Sequence, residues 1–543
     1  VTLVGTQGAV PLAELPPGAG GALRTGSARR APWSLLLAGI LVALVLISPL
    51  VFMLIEAAGA GPGNVLALIF RPLTAELFWN TIRLTVVVTL LCAILGTGAA
   101  WLVERTDLPF RRVWAVLLVV PLAIPDFVVS FGWASLSTRV TGFGGAVLVM
   151  TLSVYPLIYL PVASSLRNAD PALEEVARSL GYSRVRTFLR VTLGQARVAI
   201  LGGAILVVFV LLAEYGAFEL LAYQTFTTEI FTEYSVSTNV PAASGLSLVL
   251  IVLGLLALAG ESAVRGRTRV SRVDRLAQRR TTRHHLGPWR FPACLAAAAL
   301  VALALGVPVF SAIYWWVQGT RVSLGGANVG LWSATWHTAS YSAAAAALAT
   351  IMALPVAVLA VRHDGRLRRL LERSTYLVLA MPGIIIALAF SYFSERYLAG
   401  FAYQTAPLLV LAYAILFFPL ALVCVRASVA QAPAGLEEVA RSLGRPPLAV
   451  WLRVTLPLVG PGLAAGFCLV FLSAVTELTA TLILVPTGVQ TLATQFWAYQ
   501  TNLEYGQAAP FALVMILIAA VPSYVLGRFF DRLPSGTGTG AAR

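Results

Sequence analysis

The feature that most constrains this chain is a series of apolar runs of about 20 residues, each long enough to cross a hydrocarbon layer about 30 Å thick. Within such a layer every backbone N–H and C=O must find a partner inside the protein, which leaves helices or closed barrels. The runs are continuous rather than alternating, so helices are predicted. Charged residues make up 11% of the chain, against about 25% in an ordinary soluble domain. Twelve spans are expected, near 33–55, 78–103, 113–136, 145–166, 198–222, 243–263, 291–316, 336–361, 373–393, 406–426, 460–484 and 508–530. The predicted fold class is an all-α polytopic membrane protein.

The first run, ending near Ala58-Gly59-Ala60, has some look of a signal peptide. It is longer than a signal core and more spans follow, so it reads as an uncleaved first helix. Residues 1–32, rich in Gly, Pro and Ala, read as a disordered tail.

A net charge of +15 raises the question of nucleic acid, but its distribution answers it. All 38 basic residues are Arg, gathered in short segments between apolar runs. With a cytoplasmic N-terminus, 33 of them fall on the cytoplasmic side and five (Arg71, Arg83, Arg139, Arg321 and Arg396) on or near the other. That is the positive-inside pattern, and no nucleic-acid partner is expected. The bilayer is the partner that composition demands, with both termini cytoplasmic.

The chain also repeats. Residues 174–181 and 437–444 both read Glu-Glu-Val-Ala-Arg-Ser-Leu-Gly, and Leu189 to Leu193 recurs as Leu452 to Leu456, all at an offset of 263. Earlier in each half the offset is 257: Trp79 and Thr81 match Trp336 and Thr338, Arg105 and Asp107 match Arg362 and Asp364, and Pro125 matches Pro382. Pro156 returns to the later offset, with Pro419. Six spans per half is an even number, so the halves enter the membrane in the same sense as parallel repeats. The expected organisation is a tail (1–32), a first repeat (33–263), an Arg-rich linker (264–290), a second repeat (291–530) and a C-terminal tail (531–543).

Both copies of the eight-residue stretch fall on the predicted cytoplasmic side. In the first, Asp170 suits an N-cap and Pro171 the first helical residue. Leu173, Val176, Ala177 and Leu180 then share a face, and Gly181 suits a left-handed C-cap. The second copy keeps Leu436, Val439, Ala440, Leu443 and Gly444 but begins with the weaker cap Pro433-Ala434. An amphipathic segment lying at the headgroups is one reading. A protein partner that docks equally on both halves is the other, and it better explains why this stretch persists while neighbouring spans drifted.

Glu175-Val176-Ala177, then Gly181, then Val191-Thr192-Leu193 resembles the EAA motif of binding-protein-dependent ABC importer permeases. Glu438-Val439-Ala440, Gly444 and Val454-Thr455-Leu456-Pro457 matches again, including a final Pro where the first copy has Gly194. The resemblance implies the type I importer permease fold in the bacterial inner membrane. It implies that Glu174, Glu175, Ala177 and Gly181, with Glu437, Glu438, Ala440 and Gly444, belong to coupling helices seated on two copies of a separate ATPase. A soluble extracytoplasmic binding protein would deliver substrate. The fused form, with Thr476-Glu477-Leu478-Thr479-Ala480-Thr481 and Gln490-Thr491-Leu492-Ala493-Thr494, resembles the ferric iron permeases; those for thiamine, phosphonate, polyamine or sulfate are related.

The chain has no Lys, so it cannot form a G-x-x-x-x-G-K-[ST] phosphate loop. ATP and Mg are expected on the partner, and no cofactor on this chain. No metal site is predicted: Cys92, Cys294, Cys424 and Cys468 lie in apolar runs without a C-x-x-C pair, His284-His285 reads as a solvated linker pair, and His337 as a span-end residue. Glu214 and Glu477, paired at the 263 offset within the fifth span of each half, lie roughly 24 Å along their helices by the rise of ~1.5 Å per residue. Acids at that depth serve a translocation pathway or a structural hydrogen bond, and both readings stand. Asp126 is a weaker candidate, because Gly383 stands at its partner position. An ion-coupled secondary transporter using the two Glu residues is the alternative from another class; a membrane enzyme lacks a nucleophile–base pair.

Overall fold

The computed structural model describes residues 32–59, 61–237, 239–266, 283–322, 330–363, 366–398 and 401–532. The predicted N-terminal tail and most of the linker and C-terminal tail lie outside the described residues. Among these residues the backbone is helical nearly throughout, with no strand and one isolated bridge, between Thr106 and His284.

Among the described residues, eight helical stretches are long and apolar enough to span a membrane: Trp33–Gly59, Pro72–Arg105, Gly142–Arg167, Val185–Ala213, Val240–Gly260, Gly287–Gly319, Leu331–Arg362 and Pro447–Val475. Two other predicted spans are bent pairs, Arg111–Ala123 with Asp126–Ala134 at 92° and Ala406–Leu416 with Phe418–Gln431 at 56°. The last two, 373–393 and 508–530, overlap Arg366–Leu379 with Gly383–Tyr397, and Tyr505–Arg532.

Proline explains where several spans break. Pro125 and Pro382 precede the helices Asp126–Ala134 and Gly383–Tyr397 as their N-caps. A proline has no N–H to give the preceding turn, so a new helix starts there. At both positions one helix stops and another starts. The fifth span of each half also differs from expectation. Leu193–Ala213 ends before Glu214 and resumes as Gly216–Leu220; Leu456–Val475 ends before Glu477 and resumes as Thr479–Leu484.

Close packing in the first half runs through small residues. A Cβ on Gly96 would lie 3.0 Å from the Tyr155 carbonyl oxygen, and one on Gly203 2.8 Å from Ile158 Cα, so two helices press the segment around Pro156–Arg167 from either side. The two apolar cores do not follow the two halves of the sequence. One joins second-half residues such as Ile385 and Ile415 to Leu46, Met53 and Leu246. The other joins first-half residues such as Phe131 and Val149 to Leu478, Phe496 and Phe511. Trp33–Gly59 packs on Leu331–Arg362 and Gly383–Tyr397, while Val307–Val322 packs on Asp126–Ala134. Ser135 and Ser311 hydroxyls meet at 2.9 Å in that second contact. Each half thus lends its first span to the other.

Candidate functional site

The repeated stretches form matching nine-residue helices, Pro171–Ser179 and Ala434–Ser442. Asp170 caps the first, accepting from the Ala172 N–H at 2.9 Å, and Pro433 gives the second no side-chain cap. Gly181 and Gly444 have φ of +82° and +78°, a region that admits glycine without a Cβ penalty. Tyr182 N–H then donates to the Ala177 carbonyl at 3.0 Å, and Arg445 N–H to Ala440 at 3.2 Å, closing each helix in a Schellman turn. After one α-helical turn in each half (Arg184–Thr187 and Pro447–Val450), Phe188–Thr192 and Trp451–Thr455 are π-helical.

Each short helix turns its apolar stripe away from the rest of the chain. Leu173, Val176 and Leu180, and likewise Leu436, Val439 and Leu443, are 47–76% exposed. Ala177 is buried, Ala440 is half-buried, and Glu175 and Glu438 are exposed. The buried residue of each Glu pair is the first. Glu174 accepts from Arg105 and, at 2.8 Å, from the Thr192 hydroxyl. Glu437 accepts from Arg362 and, at 2.8 Å, from the Thr455 hydroxyl, with Arg441 at 3.5 Å. Glu174 and Glu437 therefore clamp the short helices to this chain, and the apolar stripe with Glu175 or Glu438 is what each helix presents outward. Burial pushes the Glu437 carboxyl up, but the Arg362 and Thr455 hydrogen bonds and the Arg362 and Arg441 charges hold it below its ordinary value.

The Arg members of these clamps were missed as functional residues in the sequence, although their signal was there: an Arg kept at the end of each half's second span, opposite a repeated acid. The π turn carries the other member. One extra residue per turn rotates the Leu-Arg-Val-Thr segment so that Thr192 and Thr455 meet the acid.

The end of the linker joins this site on the first half. His284 N–H donates to the Arg105 carbonyl at 2.8 Å, and Asp107 N–H to the His284 carbonyl at 3.2 Å. Its ring stacks on Trp101, with Nδ1 3.4 Å from Arg178 and Nε2 3.9 Å from Glu174. His284 is thus packed, where a solvated residue was expected, because Trp101 offers it a flat apolar face. His285 is solvated and lies 2.9 Å from Asp107. Asp107 also accepts from Arg290 and from the Leu286 N–H, and the Arg290 bond foremost holds its carboxyl well below the usual range. Asp364, its repeat partner, lies outside the described residues.

Glu214 and Glu477 sit at the breaks of their spans. Glu214 accepts from the Ala217 N–H at 2.7 Å and Glu477 from the Ala480 N–H at 3.0 Å, so each acid caps the short helix after it. A Cβ on Gly383 would lie 2.9 Å from Glu477 Oε1, which accounts for the glycine that replaces Asp126 in the second half. Asp126 accepts from Ser153, and both Asp126 and Glu477 lie within electrostatic range of Glu214. Among the described residues no three His, Cys, Asp or Glu side chains converge to hold a metal. His337 Nδ1 is 3.1 Å from the Gln490 carbonyl oxygen, and its ring stacks on Tyr341, a structural setting.

Two helical repeats with interlocked spans, each presenting one clamped helix with an outward apolar stripe, make up the membrane subunit of a transport system. The chain belongs to the family of binding-protein-dependent transport system inner membrane components, whose model matches residues 93–270 and 345–535, one copy of the clamp in each. It is 38% identical over 504 residues to an Fe(3+)-transport system permease protein of Haemophilus influenzae, covering 92% of this chain and 99% of the relative. A ferric transport system permease protein of Actinobacillus pleuropneumoniae is 21% identical, covering 84% of this chain and 71% of its own. A probable molybdenum ABC transporter permease protein of Haloferax volcanii is 28% identical over 41% of this chain.

Proposed function

We propose that this chain forms the substrate path of an ABC importer for ferric iron and couples it to a separate ATPase through Pro171–Ser179 and Ala434–Ser442. The observation that carries the coupling role is the pair of stripes, Leu173/Val176/Leu180 and Leu436/Val439/Leu443, exposed alike on helices that are fixed in place from behind. A rigid apolar patch of this kind calls for a partner, and two equivalent patches call for two copies of one partner. The ATPase pair brings ATP and Mg, and Glu175 and Glu438 stand at the rim of each contact. The Arg-rich face that holds these helices is the cytoplasmic one, with both termini, and a soluble binding protein delivers cargo to the opposite face. Ferric iron as cargo is supported by the 38% relative, which matches nearly end to end; the relative named for molybdenum matches less than half of this chain. Glu214 and Glu477 line the path between the halves.

The test is Leu180→Asp combined with Leu443→Asp. The variant inserts normally, and the ATPase no longer co-purifies with it or responds to loaded binding protein. Unchanged ATPase association would overturn the docking role. In proteoliposomes, iron uptake that persists with an uncoupler and stops without ATP separates this reading from an ion-coupled transporter; molybdate or spermidine uptake in place of iron would overturn the cargo.

A further inference from the structure

A cavity of about 580 Å3 opens beside the first short helix. Its walls include Arg178 on that helix, Thr187 and Phe188 after it, Trp101 at the end of Pro72–Arg105, and Arg283 and His284 of the linker. Its one acid, Glu174, is already engaged by Arg105 and Thr192, so the remaining charge on the walls is positive. On the other side of Arg283 a more open cavity of about 540 Å3 carries Arg111 and Arg112. Nearby acids are engaged too: Glu104 by Arg167, and Asp107 by Arg290 and His285. Arg283, Arg112 and Arg167 lie within electrostatic range of Arg111, with Glu104 the opposing charge. Among the described residues, the region holds more cationic groups than acids to balance them.

A second observation is independent of charge. Thr187 is 2% exposed, and its buried hydroxyl has no hydrogen-bond partner among the described residues. Buried hydroxyls are nearly always satisfied, by protein, water or ligand. The internal repeat supplies the comparison. The clamp residues recur in both halves, but Thr187 is matched by Val450 and Trp101 by Val358. Val450 is buried as well, so packing at this position does not call for a hydroxyl. What the first half has added to the common scaffold is a hydroxyl, an indole and two linker residues around one cavity.

We propose that this cavity binds a phosphate-bearing anion, gripped by Arg178 and Arg283, with Thr187 donating a hydrogen bond to it. Free phosphate compounds and anionic lipid headgroups share that chemistry, and basic pockets at a cytoplasmic membrane face suit both. The bound anion bridges the linker to the first short helix. It makes one of two otherwise equivalent helices responsive to its level, whatever protein those helices dock.

The full chain in phosphatidylcholine nanodiscs is titrated with inorganic phosphate, followed by phosphorus NMR. A second arm replaces part of the lipid with phosphatidylglycerol and counts retained lipid by native mass spectrometry. Binding in the first arm assigns the site to a free phosphate, and binding only in the second to a headgroup. In whichever arm it occurs, Thr187→Val and Arg283→Gln weaken it by about tenfold or more, as expected for losing one bond to a charged group. Arg445→Gln, at the second short helix, leaves it unchanged. Thr187→Val installs the residue that the second half already carries, so folding is not at issue. Binding in neither arm, or binding that both substitutions leave intact, overturns the proposal. No ATPase is present, so that failure would leave the coupling role untouched.

Discussion

Replacing Glu174 by Gln removes one charge from a pair that is almost wholly out of solvent. Arg105 is 1% exposed and the Glu174 side chain 7%. Removing one partner of a buried ion pair costs about 3–5 kcal/mol, because the other charge stays buried without a counter-charge. Gln still accepts hydrogen bonds from Arg105 and Thr192, so the lower end, about 3 kcal/mol, applies. The matching change at Glu437 is milder: Arg362 is 18% exposed and reaches more solvent. There the loss is about 1–2 kcal/mol, since water screens the charge left behind. At about 1.4 kcal/mol per tenfold, the docked state of Pro171–Ser179 falls roughly 100-fold in Glu174→Gln, and that of Ala434–Ser442 roughly tenfold in Glu437→Gln. Amide hydrogen exchange reads this directly, since short helices gain protection from docking. Glu175→Gln, on the exposed side of the same helix, serves as the control. Equal exchange in Glu174→Gln and wild type, or an equal effect from Glu175→Gln, would refute the clamp.

Two further outcomes are expected. The Glu437 carboxyl is held below its ordinary value of 4.5, so the unfolded state binds more protons as pH falls; the clamp's contribution is complete above that pH and is lost as pH drops through the folded value. Exchange of residues 434–442, corrected for its intrinsic rate, should stay flat from about pH 7 to 5 and rise only in more acid solution; a rise confined to neutral pH contradicts the assignment. Glu214→Gln with Glu477→Gln keeps both helix caps, because an amide oxygen accepts the same N–H, while removing two buried titratable carboxyl groups. Iron uptake should fall with assembly intact, and full uptake would leave both acids as caps alone.

Much of this was legible in the residues themselves. Continuous apolar runs fixed the helical membrane class, because a bilayer leaves the backbone few ways to satisfy itself. Arg placement sets an expectation of sidedness. The eight repeated residues carried the short helices and the Gly181 and Gly444 turns, and Asp170 just ahead of the first copy carried its cap, all of which depend on neighbours within a few positions. Folding in space decided the rest. The apolar stripe faces outward because Glu174 and Glu437 find Arg105 and Arg362 behind them, 69 and 75 residues away. Glu214 and Glu477 became caps because their spans break, and an unpaired helix N-terminus then stands within reach of each carboxylate. The first span of each half crossed to the other, so the cores cut across the repeat that the sequence displays. His284, to all local signs a solvated linker residue, packs on Trp101. Patterning along a chain reports what each segment prefers. Which buried charge meets which, and on whose core a span closes, is set by contacts between segments far apart in sequence, and no local period records them.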